Sequence, residues 1–233
     1  MSAAVFGRAE MDRAKLHRIY RYTIDWLYPN VCPCCGKYID HDADFCTECK
    51  NEITLYSGND TVNGADGFAA YCVYDEHIKG SILAFKKERC GNSYYAFACG
   101  IAEAVSKSPF AGNIDIIVPI PSSKKSMKER GYNQTELIAK ELRFLLGVPY
   151  CNILVKKKDT KVQKRLGMRE RAENVSGAFA LNVRTPEFPD KRLLVIDDVC
   201  TTGSTLSEAA RVLKEAGAGK VYTAAFAKTE YKS

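Results

Sequence analysis

The stretch RLLVIDDVCTTGSTL, residues 192–206, limits the fold of this chain more than any other segment. Leu193, Leu194, Val195 and Ile196 follow one another without a polar break, as a strand buried on both faces requires. Asp197 and Asp198 then stand at its carboxyl edge, and a short turn leads into the helical pattern TLSEAARVLKEAG, which Gly217 ends. Gly203 lets the backbone take a positive φ, so that successive N–H groups converge on one anion. The helix N-terminus adds its dipole and unpaired amides, and Thr201, Thr202, Ser204 and Thr205 add hydroxyl donors. A phosphate fits such a loop. Carboxylates accept hydrogen bonds from vicinal hydroxyls, so the two acids suit a ribose whose 5′-phosphate sits in residues 201–205. Neither the GxxxxGK[ST] loop nor a GxGxxG turn near the first strand is present, which argues against a nucleotide hydrolase or a dinucleotide fold.

Elsewhere the pattern repeats this strand-then-helix order. GFAAYCVY, IDIIVPIP, PYCNILVK, GAFAL and KVYTAAFAK are predicted as strands. HIKGSILAFK, SYYAFACGIAEAVSK and NQTELIAKELRFLLG are predicted as helices, the last with Leu137, Ile138, Leu142 and Leu145 on one side. The fold class expected is α/β, a mostly parallel sheet flanked by helices, with ligands at the carboxyl ends of the strands.

The first 58 residues read differently. Five of the ten cysteines crowd between Cys32 and Cys49, which points to metal rather than disulfides. Two CxxC pairs, Cys32 with Cys35 and Cys46 with Cys49, are ten residues apart and suit four thiolates around one zinc. With every position filled by sulfur that zinc is structural; Cys34 leaves open which thiols bind it. Upstream, Leu16, Ile19, Tyr20, Ile24 and Leu27 make an amphipathic helix that docks on the zinc module or the main domain, stopped at Pro29. Two units follow: residues 1–58, the helix and zinc module, and residues 59–233, the α/β domain.

No apolar run reaches the roughly 20 residues of a membrane span, and charges interrupt the N-terminus before a signal peptide is complete, so a cytoplasmic protein is expected. Basicity is concentrated: residues 120–171 hold 14 Lys or Arg against 5 Asp or Glu, a net +9 in a chain of net +6. That region suits a polyphosphate ligand and could also contact a nucleic-acid backbone, for which basic surface alone is weak evidence.

VIDDVCTTGSTL resembles the signature of type I phosphoribosyltransferases. The resemblance implies binding of phosphoribosyl pyrophosphate with Mg2+, with Asp197 and Asp198 as the catalytic-site acids on the ribose hydroxyls and Thr201, Thr202, Gly203, Ser204 and Thr205 on the 5′-phosphate. The CxxCG...CxxC module, VPIPSSKKSMKERGYNQTELIAKEL and TKVQKRLGMRERAENVSGAF extend the likeness to the ComF family of competence proteins. That family implies a Zn2+ module, a pyrophosphate loop at Pro121, Ser122, Ser123 and Lys124, and a role with single-stranded DNA and competence machinery proteins in natural transformation. Arg130 and Gln134 are read either at the cleft or in an exposed loop capped by Asn133. Residues 156–174 are read as a basic flap carrying Arg171 and Asn174, or as a solvated loop. No general base for an acceptor stands out, so an active phosphoribosyltransferase and a binding module both remain.

Overall fold

The computed structural model describes residues 19, 21–23, 26, 29–87, 93–157, 177–182 and 188–230. The strands among the described residues are β1 (Gly67–Val73), β2 (Ile116–Pro119), β3 (Leu154–Lys156), β4 (Phe179–Leu181), β5 (Arg192–Cys200) and β6 (Lys220–Lys228). The helices are α1 (Thr47–Glu52), α2 (Glu76–Lys87), α3 (Ser93–Ser106), α4 (Lys124–Arg130), α5 (Gln134–Leu146) and α6 (Ser204–Glu215).

Four strands form a sheet in the order β1-β6-β5-β2, with every pair parallel. The central β5 and β6 are buried on both faces over most of their length, which explains their largely apolar composition. Because successive side chains leave a strand on opposite sides, β5 divides its residues between two cores. Leu194 and Ile196 join Ile82 and Phe85 of α2, Phe97 of α3 and Ile138 of α5. Leu193 and Val195 join Leu206, Ala209, Ala210 and Leu213 of α6. Helices therefore cover both faces, as the alternating pattern predicts.

Some expectations shift. PYCNILVK is not one strand: Tyr150 bridges Ile117 in parallel, and the chain then turns so that β3 pairs antiparallel with β4. Lys124, expected in the loop with Pro121, Ser122 and Ser123, instead begins α4, because Ser123 caps that helix by accepting from the Ser126 amide at 3.0 Å. On α5, Ile138 and Leu142 are buried, but Leu145 faces solvent and Gln134, Thr135, Ala139 and Glu141 take its place on the inner face. In the N-terminal helix Ile19 and Trp26 are exposed, whereas Arg21 is buried. Its guanidinium donates to the His41 carbonyl at 2.8 Å, lies 3.4 Å from the Tyr95 ring centroid and pairs with Glu141 at 3.8 Å. Docking thus runs through a cation over an aromatic face and a carboxylate.

The zinc module shares the sheet's core. Cys32, Phe45, Cys46, Cys49 and Ile53 pack in the same cluster as Phe97 and Phe226. Residues 54–56 run antiparallel to β1, with the Tyr56 amide donating to Tyr71 at 3.0 Å and the Val73 amide to Thr54 at 2.8 Å. Phe226 is the hub: its ring lies 4.1 Å from Phe97, 5.6 Å from Tyr71 and 6.3 Å from Phe45 between centroids. It links β6, β1, α3 and the module in one aromatic stack. Phe226→Ala is expected to destabilise the protein by about 3–5 kcal/mol, because it opens a cavity where these elements meet. Urea unfolding measures this, and a loss below about 1 kcal/mol would show that the stack closes over the gap.

Candidate functional site

The carboxyl edge of the sheet brings three loops together because parallel strands end on the same side. After β5 comes the turn 201–203, after β2 the segment 120–123, and after β6 the residues at Thr229. The Ile120 amide donates to Ile196 at 3.1 Å, which sets the second loop beside the two acids.

The acids lie at the carboxyl edge of β5, as expected, and inside its ladder, which continues through Cys200, opposite Lys228, with Asp197 in register with Ala225. Consecutive positions inside a strand leave on opposite faces, so Asp198 turns toward α2. There the Lys86 ammonium lies 2.6 Å from its Oδ2. The acids stay coupled, since the Asp198 amide donates to Asp197 Oδ1 at 2.9 Å. Burial, and then the neighbouring Asp198 carboxylate, push the Asp197 carboxyl well above its usual range despite the partial relief from Lys86. For Lys86, burial opposes the charge, but the pairing with Asp198 and the field of Asp197 outweigh it and the ammonium is held more firmly. Nothing in AFKKER distinguishes Lys86 from its neighbour Lys87 as a site residue; only the docking of α2 on the sheet selects it.

The turn behaves as its composition predicts. Gly203 has φ 78, a left-handed value, and stands at the N-cap of α6 without a side-chain cap; the Ser204 amide makes a long contact to Thr202 Oγ1 at 3.4 Å, and the next amides of the first turn have no cap from Gly203. Thr202 Oγ1 and Ser204 Oγ share a hydrogen bond at 2.8 Å, while Thr201 and Thr205 are half-buried. The turn is braced from an unexpected side. Lys228 Nζ donates to the Thr201 carbonyl at 3.3 Å and pairs with Asp60 Oδ2 at 3.3 Å. Asp60 also accepts from the Tyr56 hydroxyl at 2.6 Å, which lowers its carboxyl. The linker between module and sheet therefore lines this turn.

Beside it, Pro121, Ser122 and Ser123 are half-buried and Lys124 is exposed. Ser122 Oγ donates to Asn133 Oδ1 at 2.8 Å, and Asn133 Nδ2 donates to the Ile120 carbonyl at 3.1 Å. Asn133 thus braces the loop and makes no side-chain cap on α5. Gln134 is buried and donates to the Phe85 carbonyl at 2.8 Å, next to Lys86, while Arg130 donates to Gln134 Oε1 at 2.5 Å. Arg130 and Gln134 form a chain from α4 to the end of α2. Arg171 and Asn174 lie outside the described residues. The two ends of that segment meet, as the Lys157 amide donates to Ala178 at 2.8 Å.

At the module, the sulfurs of Cys32, Cys35, Cys46 and Cys49 all lie within 4.8 Å of one another. Cys35 and Cys46 are 3.6 Å apart, close to the edge of about 3.8 Å that a tetrahedron with zinc–sulfur bonds of about 2.3 Å would have. The Gly36 amide closes the first turn on the Cys32 carbonyl at 2.9 Å, and the Cys49 amide points to Cys46 Sγ at 3.5 Å. The donor set fits a structural zinc held by these four thiolates.

The model of the phosphoribosyl transferase domain matches residues 96–232, more than half of the chain. The chain belongs to the phosphoribosyl transferase domain family. A double zinc ribbon domain matches residues 23–59, and the two together with the relatives make this a ComF-family chain. Competence protein F of Haemophilus influenzae is 38% identical over 108 residues, 46% of this chain and 47% of that protein. Competence protein ComFC of Bacillus subtilis is 27% identical over 188 residues, 81% of this chain and 73% of that one. DNA utilization protein YhgH of Escherichia coli is 32% identical over 46% of each chain. The match thus spans about half the length of two of these relatives. The purine phosphoribosyltransferase of Pyrococcus horikoshii aligns loosely over 60% of this ComF-family chain and 76% of its own, at 18% identity and TM-score 0.37.

For a ComF-family site built on this turn, Gly203→Ala is expected to lower stability by about 1–2 kcal/mol, since a side chain resists the left-handed backbone. Space is not the cause, because the added carbon would meet Val62 at an ordinary 3.6 Å. An unchanged urea midpoint would mean that the turn relaxes to another conformation.

Proposed function

We propose that this chain binds phosphoribosyl pyrophosphate with Mg2+ at the carboxyl edge of its sheet and acts in natural competence, in the cytoplasmic handling of imported single-stranded DNA. The observation that carries the reading is the juxtaposition of Asp197 and Asp198 with the Gly203 turn at the open N-terminus of α6. Residues 201–205 would take the 5′-phosphate on amides and hydroxyls. Asp197 and Asp198 would each take a ribose hydroxyl, Asp198 exchanging its contact with Lys86. Residues 121–124 would receive the pyrophosphate, with Arg130 and Gln134 holding the end of α2 behind it. Oxygen donors from carboxylates and phosphates suit Mg2+, which neutralises pyrophosphate charge when bound. The names of Competence protein F, ComFC and the DNA utilization protein support the cellular role. Lys124, Lys125 and Lys128 stand exposed on α4 beside the cleft and offer a track for a phosphate backbone. No helix among the described residues is long and apolar enough to cross a membrane.

Calorimetry with phosphoribosyl pyrophosphate and Mg2+ tests the ligand. The double variant Asp197→Asn, Asp198→Asn is expected to lose at least about 100-fold in affinity, as two charge-assisted hydrogen bonds of about 1.5–3 kcal/mol each are weakened. Undiminished binding by a folded variant counts against the site. Pyrophosphate release with candidate bases separates an active transferase from a binding module.

The DNA reading predicts that single-stranded oligonucleotide affinity falls with salt, with a log–log slope of about −2 if three phosphates are neutralised. Changing Lys124, Lys125 and Lys128 to Ala is expected to flatten that slope. A flat profile in the unaltered protein would remove DNA from the account.

A further inference from the structure

Cys34 stands outside both CxxC pairs, and the structure gives it other company. Its sulfur, the sulfur of Cys49 and a ring nitrogen of His77 all lie within 4.8 Å of one another. His77 belongs to the first turn of α2, outside the cysteine module. We propose that Cys34, Cys49 and His77 form a second zinc site, which shares the Cys49 thiolate with the four-cysteine centre.

The imidazole is arranged for this. Its Nδ1 lies 3.3 Å from Glu52 Oε2 on the neighbouring module. Its Nε2 is shut off from solvent and has no hydrogen-bond partner. A histidine whose outer nitrogen is held by a carboxylate and whose inner nitrogen is bare has the orientation of a metal ligand, with the carboxylate fixing the tautomer. A buried ring nitrogen without a hydrogen-bond partner has lost its hydration, and with two thiol sulfurs near the ring its lone pair calls for an acceptor. Two sulfurs and one imidazole are a zinc donor set, and three protein ligands leave one position open to water or an added ligand.

Charge favours the second ion as well. Four thiolates around one Zn2+ leave an excess of two negative charges. A second dication bridged through Cys49 offsets it. The site would also join the module to α2 by coordination bonds. Lys86 lies on the same helix, so the metal would help to hold the cation that meets Asp198. The inference does not rest on the proposed ligand of the cleft.

The test counts metal on the full chain. Protein loaded with excess Zn2+ and then desalted is expected to carry two zinc ions per chain. His77→Ala and Cys34→Ser should each halve that to one, whereas Cys151→Ser, in a thiol away from the module, should keep two. Protein produced with Co2+ in place of zinc should show two sets of ligand-field bands, one of them absent from both ligand variants. Far-UV circular dichroism establishes that the variants are folded, and His77→Gln replaces His77→Ala if the latter is not. One zinc in the unaltered chain, or two retained by a folded His77 variant, overturns the proposal.

Discussion

Burial of β5 and β6 from both sides is the constraint on which the rest of this molecule depends. A parallel pair in the middle of a sheet needs helices over each face, and here α2, α3 and α5 supply one while α6 supplies the other. Once the apolar run of β5 is committed to both cores, its polar residues fall at its ends, Arg192 at the amino end and the two acids toward the carboxyl end. Asp197, Asp198 and the Gly203 turn are placed there by the same burial that stabilises the sheet. The chemistry of the candidate site and the stability of the fold share one strand.

The zinc module is bound to that arrangement rather than appended to it. Phe45 reaches the stack around Phe226, residues 54–56 extend alongside β1, and Asp60 meets Lys228 at the back of the Gly203 turn. His77 and Glu52 make a further link between module and α2. Each contact joins the cysteine cluster to an element that lines the carboxyl edge. Loss of metal from the module would therefore be felt at the cleft through packing, without any long-range device.

How far the sequence could be read depended on whether a residue's role was set locally. The four-thiolate set follows from spacing within 18 residues, and the open turn at Gly203 follows from a strand, a glycine and a helix in direct succession. Strands β1, β5 and β6 were legible for the same reason, since a continuous apolar run has few other uses. Errors arose where tertiary contacts competed with local pattern. The run from Pro149 to Lys156 was divided between two sheets. Arg21 is buried because Tyr95, His41 and Glu141 surround it, and none of these is near it in the chain.

The amino-acid order by itself determined the α/β class, the carboxyl-edge placement of the two acids and the turn, and the spacing of thiols for zinc, because each depends on neighbours in sequence and on the 2.0 and 3.6 periodicities of strand and helix. Only the tertiary structure decided that Lys86 meets Asp198, that Gln134 holds the Phe85 carbonyl and that His77 lies beside Cys34 and Cys49. Those partners are separated by dozens of residues or more. A charge or a lone pair finds such a partner only after helices have docked on the sheet, and burial then makes the pairing obligatory.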